Sequence, residues 1–204
     1  MAKGEQTRKD IIDQAFTLAG EIGLKGLSLG VLAANAGLSK SGLFAHFKSK
    51  EALQFGVIDE ALDRFTAMIL RPALRQPRGE PRVRALFERY LAWKAHHKSS
   101  GCLFMTLSRE FDDRPGPIRD RLVTIQRDWD ETIRRVAASA VDNGDFRGDV
   151  DVDLFAYEFL GIGMAHHHVL KFLEHPRAER LAHAAFDALL DRSRAAALSS
   201  HLRS

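Results

Sequence analysis

Apolar residues recur every three or four positions along most of the chain, which is the spacing of an α-helix, whereas the alternation of a β-strand is hard to find. In the first such segment one apolar stripe is formed by Ile11, Ile12, Ala15, Phe16 and Ala19. The pattern predicts an all-α fold of about nine helices. Helices are predicted over residues 7–22, 28–36, 50–70, 102–109, 117–142 and 177–198, after Ser39 and Pro81, and from residue 149 or 151 to residue 175.

Residues 28–53 contain two short predicted helices in immediate succession. Ser28 is placed to cap a helix that ends at Gly37, and Ser39 is placed to cap the next one. Ser49 follows as the cap of a longer helix. Two short helices joined by a tight turn containing glycine form a helix-turn-helix, whose second helix enters the major groove of DNA. The segment therefore predicts DNA binding.

The net charge of the chain is +3, and its distribution supports this prediction. Residues 1–50 carry seven basic and four acidic side chains, while residues 51–204 carry 23 of each. The whole excess therefore lies in the segment with the helix-turn-helix pattern, where it suits the phosphate backbone of DNA. An excess of three charges also arises by chance, so charge alone does not establish a nucleic-acid partner.

The composition also bears on the compartment in which the protein works. Cys102 is the single cysteine, which excludes an intramolecular disulfide and fits a reducing environment. No signal-peptide h-region follows the polar first residues, and no run of about 18 apolar residues occurs. We therefore expect a cytoplasmic protein with no membrane partner.

The chemistry of an enzyme is not evident in the sequence. We find no nucleophile–base motif, no glycine-rich phosphate loop and no metal-ligand spacing. In the run His166–His167–His168, consecutive helical residues point about 100° apart, so the three cannot all ligate one ion. We expect no enzymatic activity, no cofactor and no metal site. An enzyme on a helical bundle and a helical adaptor for another protein are the alternatives, and operator binding would separate both from a regulator.

Residues 7–53 resemble the DNA-binding head of TetR-type transcriptional regulators. The matching features, in order, are Gly23, Gly26–Leu27–Ser28, Leu32–Ala33, Ala36–Gly37–Leu38–Ser39, Gly42–Leu43–Phe44, His46–Phe47 and Lys50–Glu51–Ala52–Leu53. Phe44 is a departure, because the family usually has tyrosine there. A phenol able to bond a phosphate is thereby replaced by apolar contact, for example with a thymine methyl.

The resemblance implies the organisation and the function of the chain. It implies a helix-turn-helix DNA-binding domain at residues 1–50 and a helical-bundle domain for effector binding and dimerisation at residues 51–204. A protein of this family would be a ligand-responsive transcriptional regulator, typically a repressor. It would bind palindromic operator DNA as a homodimer and be released by a small-molecule effector.

The DNA contacts that follow lie on the recognition helix and at helix starts. The candidates are Ser28, Ser39, Lys40, Ser41, Gly42, Phe44, His46 and Lys50. Lys40 and Ser41 can each reach a base edge or a phosphate. Gly42 costs a helix about 1 kcal/mol relative to alanine. Either a close approach of the backbone to DNA or close packing of the second and third helices would explain its presence. Phe47 is expected in the core.

In this family the helices of the body enclose the effector cavity. The candidates for its lining are Phe65, Tyr90, Trp93, Cys102, Phe104, Trp129 and His166. Ordinary core packing is the alternative for aromatic residues at helical spacing. For Cys102 two interpretations stay open. A helix N-terminus favours the thiolate, which would make it a sensor of electrophiles or oxidants, and a single cysteine is also commonly a small buried hydrophobe.

The last two predicted helices are expected to form the dimer interface, as an antiparallel pair from each subunit. The eighth is apolar on most sides, which indicates burial, and the ninth has a face of small residues. The predicted interface residues are Phe159, Val169, Leu181, Ala185, Phe186 and Leu189.

Overall fold

The computed structural model describes residues 3–96 and 102–195 and confirms the all-α prediction. These residues contain no β-strand, only an isolated bridge between Phe146 and Arg194. Their helices are α1 (Lys3–Gly26), α2 (Leu29–Ala36), α3 (Lys40–His46), α4 (Lys50–Phe65), a π-helix (Thr66–Leu70), α5 (Arg71–Leu74), α6 (Glu80–His96), α7 (Leu103–Phe111), α8 (Pro117–Asp142), α9 (Val152–Lys171) and α10 (Ala178–Ser193).

The helices predicted over residues 50–70 and 177–198 end elsewhere in the structure. The helix predicted over residues 50–70 continues through the π-helix into α5, and Pro72 occupies one of the first two positions of α5. Proline is tolerated there because the first N–H groups of a helix have no intrahelical partner. The last predicted helix ends at Ser193 instead of residue 198, which lies outside the described residues.

The described residues fall into two compact units. The first lies within Met1–Ile69 and Ala92–Asp128, and the second lies within Leu70–Leu91 and Trp129–Ser204. The first unit therefore contains α1 to α4 together with α7, and the second contains α9 and α10. The division predicted at residue 50 stays a prediction.

In the first unit, α1 packs on α4 around one arginine. The Arg64 guanidinium carbon lies 4.2 Å from the centroid of the Phe16 ring, and Arg64 nitrogens lie 2.6 Å from carboxylate oxygens of Asp13 and Glu60. In the same unit Phe65 contacts Trp93 and Phe104, each edge-on with ring centroids 5.9 Å apart. Paired aromatic rings in such arrangements add to the stabilisation from burial.

In the second unit, α9 and α10 pack together over an aromatic core. Phe87 stacks on Phe186 with centroids 3.8 Å apart, and Phe159 lies edge-on to both, at 5.4 and 5.9 Å. All three side chains are almost fully buried. This cluster fixes α9 and α10 against α6.

None of the helices in residues 3–96 and 102–195 is both long enough and apolar enough to cross a lipid bilayer.

Candidate functional site

In the helix-turn-helix formed by α2 and α3, a serine caps the start of α2 and a glycine begins the turn into α3. Ser28 caps α2, accepting a hydrogen bond at Oγ from the Val31 N–H at 3.1 Å. Gly37 ends α2 with φ 63°, the left-handed conformation that glycine adopts without steric cost. The Leu38 N–H then donates to the Ala33 carbonyl at 3.0 Å. These bonds close a tight helix-turn-helix of the predicted kind.

The recognition helix α3 is anchored on one side and open on the other. Ser39 Oγ caps it, accepting from the Gly42 N–H at 3.0 Å. Leu43 and Phe47 are buried and hold the helix to the rest of the first unit. Ser41 is exposed, and Phe44 is 56 % exposed. The side chain of Lys40 lies outside the described residues.

Gly42 lies on the exposed side of α3, and the structure speaks against one of its two interpretations. A Cβ atom built on Gly42 would meet Ser39 Oγ at 3.0 Å and no side chain of α2. Close packing of the second and third helices therefore does not require glycine here. Glycine leaves room for the capping hydroxyl and for the backbone of a ligand lying against α3.

Three further DNA-contact candidates, Lys50, His46 and Ser28, lie at helix ends. Lys50 is the first residue of α4, and its Nζ donates to the Lys25 carbonyl at 2.6 Å. An ammonium carries three donors, so this bond leaves two for a phosphate. His46 is half-buried in the last turn of α3, and Ser28 is half-buried at the start of α2.

Arg8 is a cation that the sequence pattern did not single out. Its guanidinium lies over the Phe47 ring, 4.7 Å from the centroid, and the residue is exposed. Phe47 is the C-terminal cap of α3, and exposed Lys48 follows it. Arg8 is thus placed at the turn between α3 and α4, although 39 positions separate it from Phe47 along the chain. Its basic charge was visible in the sequence, but its position was not.

The predicted effector-binding residues fall into two groups. Phe65, Trp93 and Phe104 form the aromatic cluster of the first unit, where Cys102 is the N-cap residue of α7 and is 2 % exposed. In the second unit Tyr90 and Trp129 lie with ring centroids 5.3 Å apart, and buried His166 lies on α9. Burial agrees with both a cavity lining and ordinary packing, so the effector assignment stays a prediction. Within the described residues, no three His, Cys, Asp or Glu side chains are grouped to hold a metal ion.

Half of the predicted dimer residues belong instead to the core of the subunit. Phe159, Phe186 and Leu189 are 0 %, 1 % and 3 % exposed in the single chain. A side chain without free surface cannot contact a partner, so the prediction is wrong for these three. The helical spacing identified apolar residues but not which of two apolar faces of α9 and α10 points inward.

The outer face of α9 and α10 carries the remaining apolar surface of this pair. On α9, Leu154, Tyr157 and Met164 are 54 %, 76 % and 55 % exposed at spacings that place them on one side of the helix. On α10, Leu181 is 46 % exposed and Ala185 is also exposed. Beside them runs a groove of about 390 Å³, whose lining includes Gly161, Ala165, Val169, Leu181, Ala182 and Ala185. Three of the six predicted interface residues, Val169, Leu181 and Ala185, therefore line this open face.

Comparison with known proteins gives matches over both parts of the chain. Residues 11–55 match the family model "Bacterial regulatory proteins, tetR family", and residues 79–186 match "Tetracyclin repressor-like, C-terminal domain". No curated protein sequence matches the chain.

Several solved structures share the fold along nearly the whole chain. A TetR transcriptional regulator from Chloroflexus aurantiacus is 24% identical, over 96% of this chain and 100% of its own, with a TM-score of 0.84. A TetR-family regulator from Cytophaga hutchinsonii is 17% identical, over 96% and 98%, with a TM-score of 0.80. AibR in complex with isovaleryl coenzyme A and operator DNA is 21% identical, over 91% and 98%, with a TM-score of 0.74. The second of the two model matches covers more than half of the sequence, and the chain belongs to the TetR family of bacterial transcriptional regulators.

Proposed function

We propose that this regulator is a repressor that binds palindromic operator DNA as a homodimer and leaves it when a small molecule binds its body. The observation that carries the proposal is the open face of α3, with Ser41 and Phe44 exposed on a helix whose other side is anchored by Leu43 and Phe47. A helix held in this way can enter the major groove without losing its packing. AibR, which shares the fold, is a precedent for operator binding and for small-molecule binding by a protein of this fold.

The contacts with DNA divide into base readout and phosphate binding. On α3, Ser41 bonds a base edge or a phosphate, and Phe44 contacts a thymine methyl group. Around it, Arg8, Lys48 and Lys50 supply positive charge at the α3–α4 turn, where they bind phosphates. The two serine caps place helix N-termini nearby, and helix N-termini attract phosphate groups.

The homodimer forms through the outer face of α9 and α10. Leu154, Tyr157, Met164 and Leu181 would be covered by the same residues of a second copy, because a two-fold interface pairs one patch with itself. Binding to a palindrome requires the two heads of the dimer to reach successive major grooves, about 34–36 Å apart.

The effector acts by changing the spacing of the two heads. Phe65 on α4 and Phe104 on α7 belong to one aromatic cluster in the first unit, so a ligand inserted among these rings moves both helices. Because α4 follows the helix-turn-helix directly, its movement carries the recognition helix with it. A ligand that prefers the altered spacing shifts the population away from the DNA-bound form.

The experiment begins with an operator selected from random duplexes by the wild-type protein. We expect salt-dependent binding of one dimer to a palindrome, measured by fluorescence anisotropy and analytical ultracentrifugation. Ser41→Ala should alter the preferred sequence, whereas Ser139→Ala on α8, a serine whose hydroxyl donates to the Val136 carbonyl of its own helix, should not. A chain that enriches no duplex and shows no salt-dependent affinity would refute the proposal.

A further inference from the structure

Helix α1 is broken at Gly23, three residues before its end. Gly23 has φ 73° and ψ 167°, which are not helical values. The N–H groups of Leu24 and Lys25 follow this break, and they resemble the first N–H groups of a helix, which lack intrahelical partners. The last turn of α1 therefore needs acceptors from another part of the chain.

The acceptor is a single carboxylate on α7. Glu110 Oε2 accepts from the Leu24 N–H at 3.0 Å, and Oε1 accepts from the Lys25 N–H at 2.5 Å. Glu110 is 85 residues away from Lys25 along the chain and is half-buried. A negative charge on free N–H groups is the favourable arrangement at a helix N-terminus. A Cβ on Gly23 would lie 2.9 Å from Glu110 Oε2, so the carboxylate fits closely against the break.

The same two peptide units are also bonded to α4. The Leu24 carbonyl accepts from Gln54 Nε2 at 2.8 Å, and the Lys25 carbonyl accepts from Lys50 Nζ at 2.6 Å. The segment Leu24–Lys25 thus bridges α7, through its N–H groups, and α4, through its carbonyl groups. Ser28, the cap of α2, comes only three residues after Lys25.

We infer that Glu110 is a positioning residue through which α7 sets the operator affinity of the helix-turn-helix, an inference that rests on the proposed function. Phe104, on the same helix, lies in the aromatic cluster proposed to take up the effector, and Glu110 follows it six positions later. A displacement of α7 at Phe104 therefore pulls the carboxylate from Leu24 and Lys25. The last turn of α1 is then free to move, and α2 moves with it.

Two variants and one control test this role. Glu110→Ala removes both acceptors, while Glu110→Gln keeps the length of the side chain and one acceptor oxygen. Asp113→Asn is the control, because it neutralises an exposed carboxylate in the same unit, two residues after α7 ends. Circular dichroism melting of each variant establishes that the chain is folded, and the Gln variant covers the case in which the Ala variant does not fold.

The first readout needs no DNA. In Glu110→Ala we expect amide exchange at Leu24 and Lys25 to be about tenfold faster, since each N–H loses a charge-assisted hydrogen bond, while Ala15 and Ala19 keep their rates. The second readout is affinity. Binding to the selected operator should fall by about tenfold, with binding to a scrambled duplex within about twofold of wild type, because positioning affects only the specific complex. Glu110→Gln should lie between wild type and Glu110→Ala in both.

The outcomes separate the two levels of the proposal. If Glu110→Ala binds the operator as the wild type does, or if its Leu24 and Lys25 amides exchange at the wild-type rate, the positioning role is refuted and the proposed function stands. If Asp113→Asn loses as much affinity as Glu110→Ala, the effect is one of charge and the role is again refuted. If the wild type has no operator, the proposed function fails, and the positioning role fails with it.

Discussion

The guanidinium of Arg194 donates two hydrogen bonds to the carboxylate of Glu80, Nη2 to Oε1 at 2.7 Å and Nε to Oε2 at 2.9 Å. The pair joins the start of α6 to Arg194, the C-cap residue that follows α10, both within the second unit. Arg84 adds a third bond to Oε1 at 2.7 Å. A paired, two-pronged contact of this kind is stronger than an isolated surface ion pair.

This contact predicts a pH-dependent stability. The hydrogen bonds from Arg194 and the one from Arg84 outweigh the opposing effect of burial and lower the pKa of the Glu80 carboxyl from 4.5 to about 2. A depressed folded-state pKa contributes stability that is complete above about pH 4.5 and is lost as the pH falls towards 2. Glu80→Gln should therefore lower the free energy of unfolding by about 1 kcal/mol at pH 7. Urea titrations at pH 7 and pH 3 check this, because the difference from wild type should shrink at the lower pH.

The matched control is Glu131→Gln. Glu131 is exposed on α8, and its oxygens lie 3.9 and 3.8 Å from Arg134 and Arg135 nitrogens. Its loss should change the free energy of unfolding by less than about 0.5 kcal/mol. If Glu80→Gln were equally harmless at pH 7, the Glu80–Arg194 pair would not stabilise the second unit.

A second prediction concerns the two roles of Lys50. If its ammonium binds a DNA phosphate, Lys50→Ala should weaken binding to every duplex and reduce the slope of log affinity against log salt by about one. The slope comes from anisotropy titrations at several salt concentrations, with Arg135→Ala on α8 as a control that leaves the slope unchanged. If Lys50→Ala instead lowers the melting temperature and leaves the slope unchanged, the ammonium bonds only the Lys25 carbonyl and binds no phosphate.

A third prediction tests the dimer face. Leu181→Glu places a charge among the apolar residues that a second copy would cover, and an unpaired buried charge costs about 3 kcal/mol or more. Sedimentation equilibrium should show a dimer dissociation constant at least about a hundredfold higher than that of the wild type. Leu74→Glu, at a leucine of similar exposure on α5, is the control and should leave the dimer intact. If the wild-type chain sediments as a monomer at micromolar concentration, the proposed dimer interface is refuted.

A fourth prediction concerns Cys102. Reactive cysteines are partly exposed, and Cys102 is 2 % exposed, which favours a packing role over a sensor. N-ethylmaleimide or a quinone should therefore release no operator from the wild type at concentrations that leave Cys102→Ser bound. Release from the wild type alone, measured by anisotropy, would instead establish the thiol as the sensor.

The local features of the fold were predictable because they depend on neighbouring residues. The caps at Ser28, Ser39 and Ser49 and the left-handed glycine at position 37 lie where the sequence indicated. Each depends on a side chain and an N–H group within three residues, or on a single φ angle. The break at Gly23 was visible for the same reason.

The contacts between distant segments were not predictable from one sequence. Glu110 with Lys25, Arg8 with Phe47 and Glu80 with Arg194 join residues 85, 39 and 114 positions apart. Phe186 and Leu181 show the same difficulty on one helix. Both are apolar at helical spacing, yet one stacks on Phe87 in the core and the other is exposed. Packing against a particular neighbour decides between the two, and periodicity carries no information about that neighbour.

The most direct test of a dimer that reads DNA through two α3 helices is its response to half-site spacing. The wild-type affinity is measured for the selected palindrome and for the same palindrome with five base pairs inserted at its centre. Five base pairs rotate one half-site by about half a helical turn, so both recognition helices cannot enter the major groove together. We predict that affinity for the expanded site falls to that for scrambled DNA, a loss of about a thousandfold or more. Equal affinity for the two palindromes would contradict the account.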